Sequence, residues 1–229
     1  MRIVMDEKMV KRNQKVAQYT SLASLVILVI GLIVSFTNPE QIIISFGALL
    51  LGFLLSQVGI FYGNRWGKSP RADEILNDEL KGLDERYIIY HYCTPVPHLL
   101  VGPAGVWVLA PYSQAGKIEY DAAKDRWSHR GGNWHLKVFG QEGLGRPDRD
   151  AKITLQDVNK YLHDLAGDDP RRPEAQLALI FTNAKAEVQS QETPLVAMPV
   201  AKLKDFIRRK AKEVNFPADT QTWLEEELP

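Results

Sequence analysis

Two stretches of this chain, Val16–Pro39 and Gln41–Asn64, contain no Asp, Glu, Lys or Arg, although the 229 residues carry 28 basic and 28 acidic side chains. Within them, Tyr19–Phe36 and Ile42–Tyr62 would rise about 27 Å and about 31 Å as helices, close to the ~30 Å hydrocarbon core of a bilayer. The intervening Thr37-Asn38-Pro39-Glu40-Gln41 is breaker-rich and short, so the two segments are expected to run antiparallel as a hairpin. Signal-peptide cleavage is the rival reading of the first segment. Its apolar run exceeds a usual h-region, no A-x-A site follows, and a second span comes at once.

Orientation follows from basic residues near the ends. Arg2, Lys8, Lys11, Arg12 and Lys15 precede the first span, Arg65, Lys68 and Arg71 follow the second, and the turn has none. An integral membrane protein with two spans and both termini cytoplasmic is the expectation. Ala48, Gly52 and Ser56 recur every four residues on the second span, and Gly59 and Gly63 continue the spacing. Such a face packs against the first helix or supports a homo-oligomer.

Outside the hairpin the composition is globular. A single Cys excludes a disulfide framework and Cys-based zinc fingers. Arg65–Pro229 holds 23 basic and 25 acidic residues, a net of −2, which gives no general surplus for a polyanion. Ser69-Pro70 starts a helix over 70–84, in which Ala72, Ile75, Leu76, Leu80 and Leu83 take helical spacing. Residues 64–68 reach less than ~20 Å, which keeps this part near the headgroups.

Strands are predicted over 87–93, 99–101, 106–109, 117–120, 126–129 and 134–138, joined by turns such as Gly102-Pro103-Ala104-Gly105, as an antiparallel meander. A helix bearing Ile153, Leu155, Val158, Leu162 and Leu165 follows, then a buried strand over 177–181. A strand near 195–198 precedes a helix with Leu203, Phe206 and Ile207, and the acidic 223–228 is a weak helix. The order implies an α/β fold, a mixed sheet flanked by helices, behind the α-helical hairpin. The expected divisions are a basic flank (1–18), the hairpin (19–62), a linker (63–69), a soluble domain (70–214) and an acidic tail (215–229).

Three runs carry a resemblance: Ala72-Asp73-Glu74-Ile75-Leu76 onward to Leu83, Pro97-His98-Leu99-Leu100-Val101 continuing to Leu109, and Gly116-Lys117-Ile118. Together with Ala178-Leu179-Ile180-Phe181-Thr182-Asn183, they resemble the NERD (nuclease-related) domain over about residues 70–210. The resemblance implies a restriction-endonuclease-like core in which an Asp and a Glu-x-Lys on adjacent strands hold Mg²⁺ and activate water. This chain departs at each place, with Pro97 for the Asp, Ala110 for the Glu and Tyr112 for the Lys. Mg²⁺ requires hard oxygen ligands, which proline and alanine side chains lack.

Glu74 matches the family's acidic helix position and His98 its strand-leading histidine, the latter a candidate binding residue. A relocated site would use Glu74, Glu119 and Lys117, the last two sharing one face of a strand with Asp121 just beyond. His91, Cys93 and His98 suggest a thiol or zinc site, against which stands the ordinary alternation of a strand. Residues 140–145, Gly-Gln-Glu-Gly-Leu-Gly, lack the Lys-Ser/Thr ending of a phosphate loop. Trp107, Trp127 and Trp134, with Arg126, Arg130 and Lys137 nearby, could stack bases, though sheet aromatics are usually core. Arg146, Arg149, Arg171 and Arg172 are interrupted by Asp148, Asp150, Asp168, Asp169 and Glu174 and read as a solvated face.

The sequence thus points to a membrane-anchored NERD-like pseudo-nuclease without a cofactor, serving as a binding or assembly module for a protein partner. The alternative is a membrane-tethered, Mg-dependent nuclease with relocated residues. A purely structural membrane protein is the third class.

Overall fold

The computed structural model describes residues 1–124, 126–131, 143–189, 193 and 195–229. The chain divides into two compact units, a helical one over Asp6–Glu74 and a sheet-bearing one formed by Met1–Met5 with Ile75–Pro229.

The helical unit contains α1 (Glu7–Thr37) and α2 (Ile42–Tyr62), joined by a 3₁₀ turn at Pro39–Gln41. Asp6 starts α1, its Oδ1 accepting from the Met9 amide at 2.8 Å. A π-helical turn, Gly63–Gly67, extends α2 beyond its uncharged run, and Gln14 Nε2 donates to the Trp66 carbonyl at 3.1 Å. Both helices are long and apolar enough to cross a membrane. At 31 residues α1 is about 46 Å long, so the polar residues before Tyr19 are surplus to a span. They form helix rather than an irregular flank.

Buried positions on α1 include Val10, Ala17, Ser24 and Gly31, and those on α2 are Ser45, Gly52 and Gly59. This is a seven-residue repeat. It keeps one seam of each helix facing the other, as in antiparallel coiled coils. A Cβ on Gly52 would lie 2.6 Å from Leu28 Cγ, and one on Gly59 3.1 Å from the Ser21 backbone nitrogen, so the backbones touch only because these side chains are absent. Ala48 lies against Gly31. The four-residue face read from the sequence is therefore largely spent within the hairpin, with Ser56 half-buried and its Oγ donating to the Phe53 carbonyl at 2.7 Å.

The strands are β1 (Arg2–Met5), β2 (Ile88–His91), β3 (His98–Gly102), β4 (Gly105–Tyr112), β5 (Gly116–Asp121), β6 (Arg126–Arg130), β7 (Ala175–Phe181), β8 (Ala186–Gln189) and β9 (Val196–Pro199). The remaining described helices are α3 (Ala72–Leu80), α4 (Pro147–Ala166), α5 (Leu203–Glu213) and α6 (Ala218–Glu227). Six strands form one mixed sheet in the order β1-β2-β3-β4-β7-β9, and β6-β5-β8 form a second. Among the described residues, the antiparallel meander is limited to β2-β3-β4, because β5 and β6 leave the main sheet to pair with β8. The residues 134–138 expected as a further strand lie outside the described residues.

Alternation along β2 sorts the core. Ile88 and Tyr90 pack with Val158 and Leu162 of α4 and with Trp223 and Leu224 of α6. Ile89 faces the other way, with Leu76 and Leu80 of α3 and Leu203, Phe206 and Ile207 of α5. The 215–229 segment is thus part of the core, not a tail. In the β3–β4 turn, Gly105 adopts φ +93°, and a Cβ on Gly102 would meet the Tyr87 ring at 2.4 Å.

Two strands come without a forewarning, β8 and β1; the second of these holds the edge of the main sheet. It pairs in parallel with β2, Arg2 opposite Ile88 and Met5 opposite His91, so residues on both sides of the hairpin in sequence belong to one sheet.

Candidate functional site

The resemblance directs attention to the end of the main sheet where β2 finishes, β3 begins and β4 finishes. Tyr92, just after β2, has φ +61°, a left-handed backbone that a tyrosine adopts only under constraint. The Tyr92 amide donates to the Pro97 carbonyl at 2.9 Å, and Thr94 Oγ1 to the Val96 carbonyl at 2.8 Å, which closes the loop and launches β3 at His98. The register then sets His98 opposite His91.

These two imidazoles are both buried, at 0% and 2% exposure, and their Nδ1 atoms are 2.7 Å apart. His91 Nε2 stands 3.0 Å from Asn77 Oδ1 on α3. With Asn77 Oδ1 as acceptor, His91 carries a proton on Nε2, and in its neutral form its Nδ1 would accept from the Nδ1–H of His98. The sequence singled out His98 and weighed His91 beside it. Only the strand register reveals the direct bond. Cys93 forms no disulfide, and its Sγ lies 3.8 Å from the Val4 carbonyl of β1.

The β3–β4 ladder ends at Leu99 opposite Val108, with Pro97 just before β3 and Ala110 within β4 beyond that last pair. Tyr112 falls two residues further along β4, on Ala110's face. Its ring stacks at a tilt on Phe181, centroids 5.6 Å apart, and burial pushes its phenol up to about 12. The phenol is therefore neutral throughout the physiological range and supplies no cation.

Glu74 is engaged locally. Its Oε2 accepts from the Arg71 amide and from Ser69 Oγ, both at 2.9 Å, and Arg71 Nη1 pairs with its Oε1 at 2.9 Å. A third-position glutamate reaching back to the amide at the helix start is the glutamate half of a capping box. Asp73, fully buried, accepts from Arg71 Nε at 3.0 Å and Nη2 at 2.8 Å.

Lys117 and Glu119 form an ion pair with each other on β5, in the second sheet, while Asp121 pairs with Lys124 at 3.2 Å. That Lys124 partner holds the Asp121 carboxyl below its usual range. Among the described residues no group of three or more His, Cys, Asp or Glu could hold a metal ion.

Two of the tryptophans are core. Trp107 is buried, donates from Nε1 to the Ala104 carbonyl at 2.8 Å and meets Phe206 edge-on at 5.1 Å. Trp127 is buried against Tyr120. Trp134, Lys137 and residues 140–142 lie outside the described residues, and Gly143 accepts at its carbonyl from Gln114 Nε2 at 3.1 Å.

Compared with protein-family models, with curated proteins and with solved structures, the chain matches none.

Proposed function

We propose that this chain is a membrane-anchored module whose sheet unit, a degenerate restriction-endonuclease-like core on the cytoplasmic side, binds or assembles a protein partner instead of cleaving nucleic acid. What supports the reading is the chemistry of Pro97, Ala110 and a neutral Tyr112, the residues that stand where the resemblance would expect an Asp, a Glu and a Lys. Phosphodiester hydrolysis assisted by a metal needs carboxylate oxygens to hold the ion and polarise water, and none of these three side chains offers one.

Membrane anchoring draws support from two facts. The apolar helices keep their large side chains outward, and all exposed large hydrophobic residues among those described, except Ile3 and Ile153, fall between Tyr19 and Phe61. The β1–β2 pairing also places the residues flanking the hairpin in one sheet. A chain that enters lipid between those strands must cross it an even number of times. Removal of the first span as a signal peptide would take β1 with it. The excess of Lys and Arg on both flanks assigns the shared side to the cytoplasm.

The competing reading is a Mg²⁺-dependent nuclease using Glu74, Glu119 and Lys117. Incubating the purified full chain with DNA and with RNA in Mg²⁺ or Mn²⁺ tests both. No cleavage and no metal-dependent rise in Tm is the expected outcome. Cleavage that disappears on Glu119→Ala would replace the module with the enzyme.

A further inference from the structure

We infer that the outward face of α5 docks on anionic lipid headgroups. From Lys202 to Glu213 the chain has six cations, Lys202, Lys204, Arg208, Arg209, Lys210 and Lys212, against Asp205 and Glu213, a net of +4. The rest of Arg65–Pro229 then carries −6. The near-neutral total conceals a segregated charge, and a body of that kind orients in the field of a charged surface.

Helical periodicity concentrates the positive charge. Leu203, Phe206 and Ile207 are buried in the core, and Lys202, Arg208, Arg209 and Lys212 are exposed around the opposite side. Local neutralisation is slight. Lys210 at 2.8 Å and Arg209 at 3.8 Å share the single carboxylate of Glu213. Lys204 Nζ and Arg208 Nη2 donate to the Lys81 and Gly82 carbonyls, at 3.3 Å and 3.2 Å. These bonds fix the helix beside the α3 terminus and leave both cationic charges uncancelled.

The inference rests on the reading that α1 and α2 lie in a bilayer. Given that, four residues, Lys68–Arg71, separate the π-helical turn from α3, a connection extending at most about 14 Å. A lipid surface is then present at high effective concentration. Clustered Lys and Arg on an amphipathic helix near such a surface recognise anionic headgroups, with each cation worth about fivefold in the bound-to-free ratio. A nucleic acid would have to compete with that tethered surface while facing the −6 remainder.

The test uses the full chain with Cys93→Ser and a fluorophore on Ala201→Cys, an exposed position beside the face. The chain is reconstituted in phosphatidylcholine nanodiscs with or without phosphatidylserine, and quenching by spin-labelled headgroups is read. Strong quenching only with phosphatidylserine, lost in high salt, is expected. Lys202→Gln, Arg209→Gln and Lys212→Gln together should lower the docked-to-free ratio on the order of a hundredfold. Equal quenching in phosphatidylcholine alone overturns the inference, as does release of the label from the anionic surface by an oligonucleotide at matched charge. A chain that does not enter either nanodisc instead overturns the membrane reading beneath it.

Discussion

The helical and sheet units spend the same apolar residue types in opposite ways. In the hairpin the small residues Ser24, Gly31, Gly52 and Gly59 face inward, while Phe36 is 79% and Ile43 84% exposed. In the sheet unit Leu76, Ile89, Leu99 and Leu179 are completely buried. A water-solvated fold gains by hiding large apolar groups, whereas lipid gives no such reward, and helix association there depends on close backbone approach. The contrast is the one that the proposed membrane anchoring would produce.

Core truncation should break the comparison most visibly. Phe181→Ala is expected to cost about 3–5 kcal/mol in the sheet unit, read as a lowered midpoint in denaturant unfolding. Ile43→Ala in the hairpin should change that midpoint by less than about 0.5 kcal/mol. A large loss from Ile43→Ala would mean that the side chain is covered by protein. Next in size, on the proposed membrane reading, replacing an exposed leucine near the middle of α2, as in Leu51→Lys, should oppose insertion by about 3 kcal/mol, measured by glycosylation mapping in microsomes.

Alkaline pH separates the units in another way. Burial pushes the Tyr90 hydroxyl up to about 12, well above its ordinary 10. Because the folded form holds its proton more tightly, this stabilisation is complete below pH 10 and disappears as pH rises through about 12. Tyr90 should account for a loss on the order of 2 kcal/mol across that window, with Tyr112, likewise raised to about 12, adding its own, so Tyr90→Phe should remove one share of the loss in pH-dependent unfolding and leave the other. A smaller effect than these losses is expected from Gly59→Ala, about 1 kcal/mol, in steric-trap measurements of α1–α2 separation. It should leave the sheet unit's unfolding midpoint unchanged.

The sequence revealed α2 to the residue, because an uncharged run bounded by Pro39 and by the basic Arg65 leaves little choice. The strand-turn-strand of β3 and β4 was legible too, since Gly102-Pro103-Ala104-Gly105 separates two apolar runs, although β4 continues to Tyr112, beyond the expected end at Leu109. By contrast, Arg2-Ile3-Val4-Met5 has too few residues to show a period, and its basic neighbours disguise it as a membrane flank. The Ala-Glu-Val-Gln of β8 has no apolar run, so its pairing with β5 depends on contacts distant in sequence. Small residues at intervals of four were conspicuous, yet the antiparallel seam selected intervals of seven. His98 was visible as a candidate, but its bond to His91 follows from a register that composition does not specify. The cationic face of α5 was hidden by averaging charge over the whole soluble part.

Because β1 is made before the hairpin and its partner β2 after it, synthesis imposes a delay. At roughly 5–20 residues per second, Ile3 and Val4 wait on the order of ten seconds for their neighbouring strand to leave the ribosome. Closure of that sheet edge therefore cannot begin until all of α1 and α2 has been made.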